Sequence, residues 1–128
     1  AARLLNISTA AIENDRLASV KQLQNKLGGS AILKGSGSLI ACSQNEITLC
    51  PYGNPGMASG GMGDVLSGIL GGLMAQELPP ELSIKLGVCL HAAAADIASE
   101  DKGERGLLAA DLIPYARALL NKKRVLRS

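Results

Sequence analysis

The chain has 128 residues, 47% of them hydrophobic and 19% charged, with 13 Lys and Arg against 11 Asp and Glu for a formal net charge of +2. That is enough apolar material for one core, so the chain reads as one domain or a piece of one, and the near balance of charge leaves no strong field to attract a polyanion. With no Trp, no Phe and only two Tyr, it offers few aromatic faces for stacking bases, and nucleic acid is not an expected partner.

Three cysteines, Cys42, Cys50 and Cys89, are odd in number and lack CxxC spacing. They indicate neither a disulfide framework nor a four-thiolate zinc site, and a reducing, cytoplasmic setting fits them best. No apolar run approaches the roughly 20 residues needed to cross a bilayer, so no membrane association is expected. The first residues lack the basic start and apolar stretch of a signal peptide. Ala1 to Leu5 reads as the end of a helix without an initiating Met, so a fragment or processed piece is expected.

In chain order, Ser8 and Thr9 can cap a helix whose apolar positions Ile12, Leu17, Val20, Leu23 and Leu27 mostly keep a helical period, up to a stop at Gly28 and Gly29. Residues 30–34 read as a buried strand of a mostly parallel sheet, and residues 35–38 turn the chain. Residues 39–42 and 47–50 are two further strands, joined into a hairpin by Gln44, Asn45 and Glu46. After a loop rich in Pro, Gly and Asn, Val65, Leu66, Ile69, Leu70 and Leu73 resume the helical period. Leu78, Pro79 and Pro80 end that helix. Residues 84–98 form another, apolar around most of its circumference and therefore largely buried, although such a face could also serve a homo-oligomer interface. Residues 101–106 are a polar loop. A last helix over 110–120 should turn Leu112, Ile113, Ala116, Leu119 and Leu120 inward, and the basic tail of Lys122, Lys123, Arg124 and Arg127 reads as a solvated end. The expected buried set includes Ile32, Leu33, Val65, Leu66, Ile69, Val88 and Leu90.

The informative stretch runs from Gly53 to Asp64, with five glycines in eleven residues followed directly by a helix. So much glycine is costly in backbone entropy unless something must approach closely. Phosphate is the natural candidate, because free N–H groups and the positive end of the helix dipole meet at a helix start. Neither GxxxxGK[ST] nor GxGxxG is present, since Leu66 stands where the latter needs its third glycine. Asp64 beside such a loop suits a general base for a hydroxyl that attacks phosphate. On the residues alone, a plain helix-stabilising charge in the first turn is the simpler reading. Lys34 before two glycines reads as a phosphate ligand or as an exposed strand end. His91, two residues from Cys89 and off its helical face, reads as a packed core histidine rather than a metal ligand. Met57 and Met62 flank the loop, where packing is their commoner task.

Read together, residues 54–68, NPGMASGGMGDVLSG, resemble the signature of the ADP/ATP-dependent NAD(P)H-hydrate dehydratases, members of the ribokinase-like superfamily. LKGSGS over 33–38 is similar to the family's LKGxGT, and AARLL at the start to its EAARLLG. Asp15, Arg16 and Leu17, and the stretch from His91 to Asp96, also have counterparts. Pro55 stands where Ala or Ser is common, and Ser38 replaces Thr while keeping the hydroxyl. The resemblance implies an α/β fold: the carboxy-terminal half of a ribokinase-like three-layer α/β/α domain, with a β-hairpin and a glycine-rich loop before a helix. A half-domain that carries a histidine, and in some members an epimerase domain, would precede it.

The same resemblance implies that Asp64 is the catalytic base at the substrate hydroxyl. It implies a nucleotide, ADP or ATP, held by Lys34, Gly35, Ser36, Gly37 and Ser38 together with Asn54, Gly56, Met57, Ala58, Ser59, Gly60, Gly61, Met62 and Gly63. Mg²⁺ would bridge the phosphates without a dedicated set of protein ligands, and hydrated NADH or NADPH would be the substrate. A ribokinase-like vitamin kinase and a catalytically incomplete nucleotide-binding fragment are the alternative readings.

Overall fold

A computed structural model describes residues 1–35, 37–42 and 46–121. Ser36, the hairpin residues Gln44 and Asn45, and the basic tail from Lys122 to Arg127 lie outside the described residues. The chain divides into two compact units, Ala1–Pro51 and Tyr52–Ser128, each with its own core.

In the first unit, a short helix α1 (Ala2–Leu5) ends on Asn6 in a left-handed conformation. The single helix expected after Ser8 is in fact two, α2 (Thr9–Asn14) and α3 (Arg16–Leu27). Ser8 caps the first by accepting from Ala11 N at 3.0 Å. Asp15 interrupts the run: its backbone is extended, and its Oδ1 accepts from Ala18 N at 3.0 Å, so it opens a second helix instead of continuing the first. The break changes which side chains face inward. Ile12, Val20 and Leu23 join the core, whereas Leu17 and Leu27 are exposed.

Strand β1 (Ala31–Leu33) follows α3 after a two-glycine stop. It pairs with β2 (Ser38–Ala41), which pairs with β3 (Ile47–Cys50), giving the order β1-β2-β3. Both pairings are antiparallel, with Ile32 opposite Ile40 and Leu39 opposite Leu49. The expectation of parallel pairing for 30–34 therefore fails among the described residues. The four residues between β1 and β2 can only fold the strand back, because a parallel return needs a crossover of about a dozen residues. The hairpin itself forms as read. Ala31, Leu33, Leu39 and Ala41 pack on α3, while Ile32 is half-buried because alternate β1 side chains leave that face.

Among the described residues the second unit holds three helices, α4 (Met62–Ala75), α5 (Pro80–Lys102) and α6 (Leu112–Leu120), with 3₁₀ turns at Pro55–Ala58 and Ala109–Asp111. Met62, Leu90, Ala94, Ala95, Ala98, Leu107, Leu112 and Ala116 form the core. The alanines let α5 approach its neighbours closely, and at Gly87 the contact is tight enough that a Cβ would lie 2.5 Å from Leu70 Cδ2. Leu66, Val88, Leu90 and His91 are buried as read, while Val65 and Ile69 are half-buried.

Two expectations for the second unit change. In α6, Leu112 and Ala116 point inward and Leu119 is half-buried, but Ile113 and Leu120 are exposed. The helix buries one narrow stripe, and Ile113 lies about 100° away from Leu112 around it. In addition, α5 is long and apolar enough, by length and composition, to cross a membrane. Its interrupted apolar pattern concealed this in the sequence. Here α5 is the central core helix, with nine buried residues spread along it.

Tyr115 on α6 donates its hydroxyl hydrogen bond to Asp101 at the end of α5. That bond, desolvation and the charges of Asp101 and Asp111 raise its pKa above the usual 10.0. Because the folded-state value is the higher one, the stabilising contribution is complete below the unfolded value and disappears as pH rises through the folded value. The stability difference between wild type and Tyr115→Phe is therefore expected to be constant from about pH 7 to about pH 9 and to vanish in stronger alkali. Denaturant titrations across that range check it, and a difference that does not change with pH contradicts it. For α6, Leu112→Ala is expected to cost about 2–5 kcal/mol. Ile113→Ala should stay within about 0.5 kcal/mol. Equal losses in chemical denaturation would overturn the assigned inward face.

Candidate functional site

The glycine-rich stretch after β3 is held by polar contacts along its length. Gly53 has a positive φ of 127°, and its N–H donates to Asp96 Oδ2 at 3.0 Å. Asn54 Nδ2 donates to Asp96 Oδ1 at 2.8 Å, and Asn54 Oδ1 accepts from Gly56 N at 3.0 Å, so both ends of the Asn54 amide are engaged. This Asn54 cap starts the 3₁₀ turn of Pro55, Gly56, Met57 and Ala58, where the proline suits the first turn because no N–H is needed there. Ser59 Oγ then donates to the Leu107 carbonyl at 2.6 Å and lies 3.0 Å from the Gly56 carbonyl.

The glycines have different reasons to be glycine. At Gly56 there is no room, since a Cβ would meet Asn54 Oδ1 at 2.9 Å, Glu104 O at 3.0 Å and Leu107 Cδ2 at 3.1 Å. Gly61 is the N-cap of α4 in the left-handed region, φ 85°, where L side chains are strained. Gly60 is exposed, and a Cβ there would have no protein atom within 4 Å. Packing therefore does not require Gly60; open space at this point suits a close-approaching ligand.

Helix α4 starts with its first N–H groups unbonded within the helix. No side chain caps it, and the first intrahelical bond runs from Val65 N to the Gly61 carbonyl at 3.0 Å. The N–H groups of Met62, Gly63 and Asp64 therefore precede the helix's own bonding, at the positive end of its dipole. Met62 is 2% exposed and anchors the first turn in the core. Its side chain is thus committed to packing, and only its backbone is available to a ligand. Met57 also packs against the core. Asp64 is exposed in the first turn. Asn54, Gly56, Met57, Ala58, Ser59, Gly60, Gly61, Met62, Gly63 and Asp64 thus lie on one continuous stretch that leads through a 3₁₀ turn into the first turn of α4.

Lys34, Gly35, Gly37 and Ser38 lie in the first unit, the first three in the turn between β1 and β2. Lys34 is exposed. Arg16 underpins the turn: its Nη2 donates to the Leu33 carbonyl at 3.2 Å and lies where a Gly35 Cβ would approach it to 2.8 Å. Gly37 has φ 75°, and Leu49 Cδ1 would be 3.2 Å from a Cβ there. Ser38 begins β2 opposite Cys50. Ser36 falls outside the described residues.

Residues 1–117 match the family model described as Carb_kinase, NAD(P)H-hydrate dehydratase. The chain belongs to this family. Over 121 residues it is 53% identical to the Bifunctional NAD(P)H-hydrate repair enzyme Nnr of Vibrio cholerae, covering 94% of the chain and 24% of that relative. It is 42% identical over 123 residues to the ADP-dependent (S)-NAD(P)H-hydrate dehydratase of Neisseria meningitidis, covering 95% and 42%. Its fold superposes with TM-score 0.89 and 26% identity on the ADP/ATP-dependent NAD(P)H-hydrate dehydratase of Bacillus subtilis, co-crystallised with ATP/Mg2+ and soaked with CoA, covering 94% of this chain and 45% of that one. The α/β fold of the dehydratase family is therefore the fold of this chain. The chain spans about a quarter of the length of the bifunctional relatives and less than half of the solved dehydratase.

Two residues of this family member contribute to the loops without having been singled out as site residues. Arg16 supports the Lys34 turn, and Asp96 ties down the start of the glycine loop. A sequence signal for Asp96 did exist, because it is the only acidic residue in the apolar run 84–98, and a carboxylate on a buried helix needs hydrogen-bond donors. Gly61→Val is expected to cost about 1–3 kcal/mol of stability, because a β-branched residue is strained at that φ. Gly60→Ala should leave the melting temperature nearly unchanged and act only on ligand affinity. Thermal melts paired with ADP titrations separate the two, and an equal stability loss at Gly60 would contradict the assignment.

Proposed function

We propose that this chain is the carboxy-terminal half of a dehydratase domain that uses ADP or ATP to convert hydrated NADH or NADPH back to the dihydronicotinamide, with Asp64 as the general base. The observation that carries the reading is the exposed carboxylate of Asp64 in the first turn of an uncapped α4, directly after Gly60, Gly61 and Gly63. Family membership supports it, as do relatives named for ADP-dependent and ADP/ATP-dependent dehydration.

In this reading Asp64 accepts the proton of the substrate hydroxyl as that oxygen attacks phosphorus. Its exposed carboxylate in the first turn of α4 is open to an incoming hydroxyl. The backbone N–H groups of Gly60, Gly61, Met62 and Gly63 stabilise charge on the phosphoryl oxygens. Phosphate then leaves with the electron pair of the C–O bond while the adjacent ring carbon gives up a proton to water, and the pair of that C–H bond becomes the ring double bond. A bound nucleoside di- or triphosphate supplies the phosphoryl group. The Lys34 to Ser38 turn holds the nucleotide through a cation and backbone N–H groups. Among the described residues there is no cluster of three His, Cys, Asp or Glu able to hold a metal. An Mg²⁺ ion, when bound with the nucleotide, would neutralise charge on the phosphates. Open space at Gly60 and the uncapped helix start are the features that fit a phosphate group.

In the full-length protein that carries this sequence, Asp64→Asn should lower turnover by about 10²- to 10⁴-fold. Affinity for ADP should be kept, because size and helix start are unchanged. The assay is the ADP- or ATP-dependent return of dihydronicotinamide absorbance from hydrated NADH or NADPH. A wild-type protein that ignores the hydrate but phosphorylates a vitamin alcohol would assign it to the kinases of the superfamily instead, and an unimpaired Asp64→Asn enzyme would remove Asp64 as the base.

A further inference from the structure

Asp96 has no part in the chemistry above, yet it ties α5 to the glycine-rich loop through both of its carboxylate oxygens. It is half-buried, the single carboxylate within 84–98, on the helix that forms the centre of the core. Both of its oxygens are used, Oδ2 by Gly53 N at 3.0 Å and Oδ1 by Asn54 Nδ2 at 2.8 Å. An ionised carboxylate only accepts, so it fixes which way the Asn54 amide faces: NH₂ toward Asp96, oxygen toward Gly56 N. The order imposed by α5 is thereby passed through Asn54 into the backbone at Gly56, where there is no room for a side chain.

We propose that Asp96 is a positioning residue for phosphate binding by the glycine loop. Resting on the reading of that loop as the phosphate site, the proposal gives Asp96 the task of holding residues 53–56 so that Gly60 to Gly63 present their N–H groups in a fixed arrangement before a ligand arrives. Ser59 holds the other end of the loop on the Leu107 carbonyl, and Asp96 holds its beginning. Apart from Met57, the loop offers glycine, proline and small residues, which bury little apolar surface, and an unrestrained loop would have to be ordered at the cost of binding affinity. Asp96 acts through the loop and touches no ligand.

The test uses the full-length protein and Mg²⁺·ADP as the probe. Asp96→Asn replaces one acceptor by an NH₂ group, so either Gly53 N or Asn54 Nδ2 faces a donor. The expected result is a weakening of Mg²⁺·ADP affinity by about tenfold or more, with turnover at saturating nucleotide changed by less than about threefold, as expected for lost ground-state binding. In ligand-free protein the Gly53 and Gly56 amides should exchange hydrogen faster. Combining Asp96→Asn with Asn54→Asp restores all three bonds with exchanged polarity: the new amide donates to the new carboxylate, whose other oxygen accepts from Gly56, while the amide oxygen accepts from Gly53. The double variant should recover slow exchange and most of the lost affinity.

Wild-type affinity and exchange in Asp96→Asn would overturn the proposal. So would a double variant that binds no better than the single one or fails to fold alongside it. A single variant that fails to fold while the double variant folds and binds would uphold it. A wild-type protein that does not bind Mg²⁺·ADP at all would bring down the phosphate-site reading itself, a result distinct from a wild type that binds and an Asp96→Asn protein that binds equally well.

Discussion

A stretch of backbone with almost no side chains has to be held by hydrogen bonds, and this constraint governs the second unit. Between Gly53 and Gly61 the chain has little apolar surface to bury, so the entropy lost in ordering it must be offset by polar contacts. Those contacts come from both ends. Asp96 and Asn54 fix the beginning, and Ser59 fixes the end on the Leu107 carbonyl. Between them Gly56 fits against Glu104 and Leu107 because it has no Cβ. The loop is thus shaped by its surroundings, and the surroundings consist of α5 and the segment that follows it.

Packing supplies the second half of the constraint. Met62 is buried at the first position of α4 while Asp64, two residues on, is exposed. A helix turns about 200° over two residues, so anchoring the one side chain in the core points the other away from it. The left-handed N-cap at Gly61 lets the chain enter the helix at that point. One buried methionine and one positive φ therefore set where the uncapped N–H groups and the carboxylate lie. The alanine-rich face of α5 contributes by permitting close helix contact, which keeps Asp96 within reach of the loop.

The proposed chemistry uses this arrangement economically. Helix N–H groups and open space at Gly60 suit phosphoryl oxygens, and Asp64 stands exposed at the same helix start. A kinase-like anion site becomes a dehydratase when the hydroxyl that receives the phosphoryl group can lose it again by elimination. In that scheme the protein's part is to position, to accept a proton and to stabilise negative charge.

Local features of the chain were readable wherever chemistry is encoded by adjacent residues. The glycine-rich loop, the helix start after Gly61, the β-hairpin, the Ser8 cap and the buried His91 could all be read from residue type and spacing, and the motif from Asn54 to Gly68 was enough to place the family. Features that depend on distant partners could not be read. Asp15 splits a helix because capping competes with continuation, and periodicity cannot rank the two. β1 pairs antiparallel because a short turn returns the chain, although its apolar composition suits either direction. Ile113 and Leu120 stay exposed because only one stripe of α6 meets α5. Asp96 lies more than forty residues from the loop it holds, and Met62 could be assigned to the core only once α5 and α6 were packed around it. Sequence by itself determined the glycine-rich loop, the helix start that follows it and the place of Asp64 there, since these rest on backbone conformation and neighbouring residues. The tertiary structure alone decided what holds that loop in place, because hydrogen bonds and core contacts between remote segments exist only after the chain has folded.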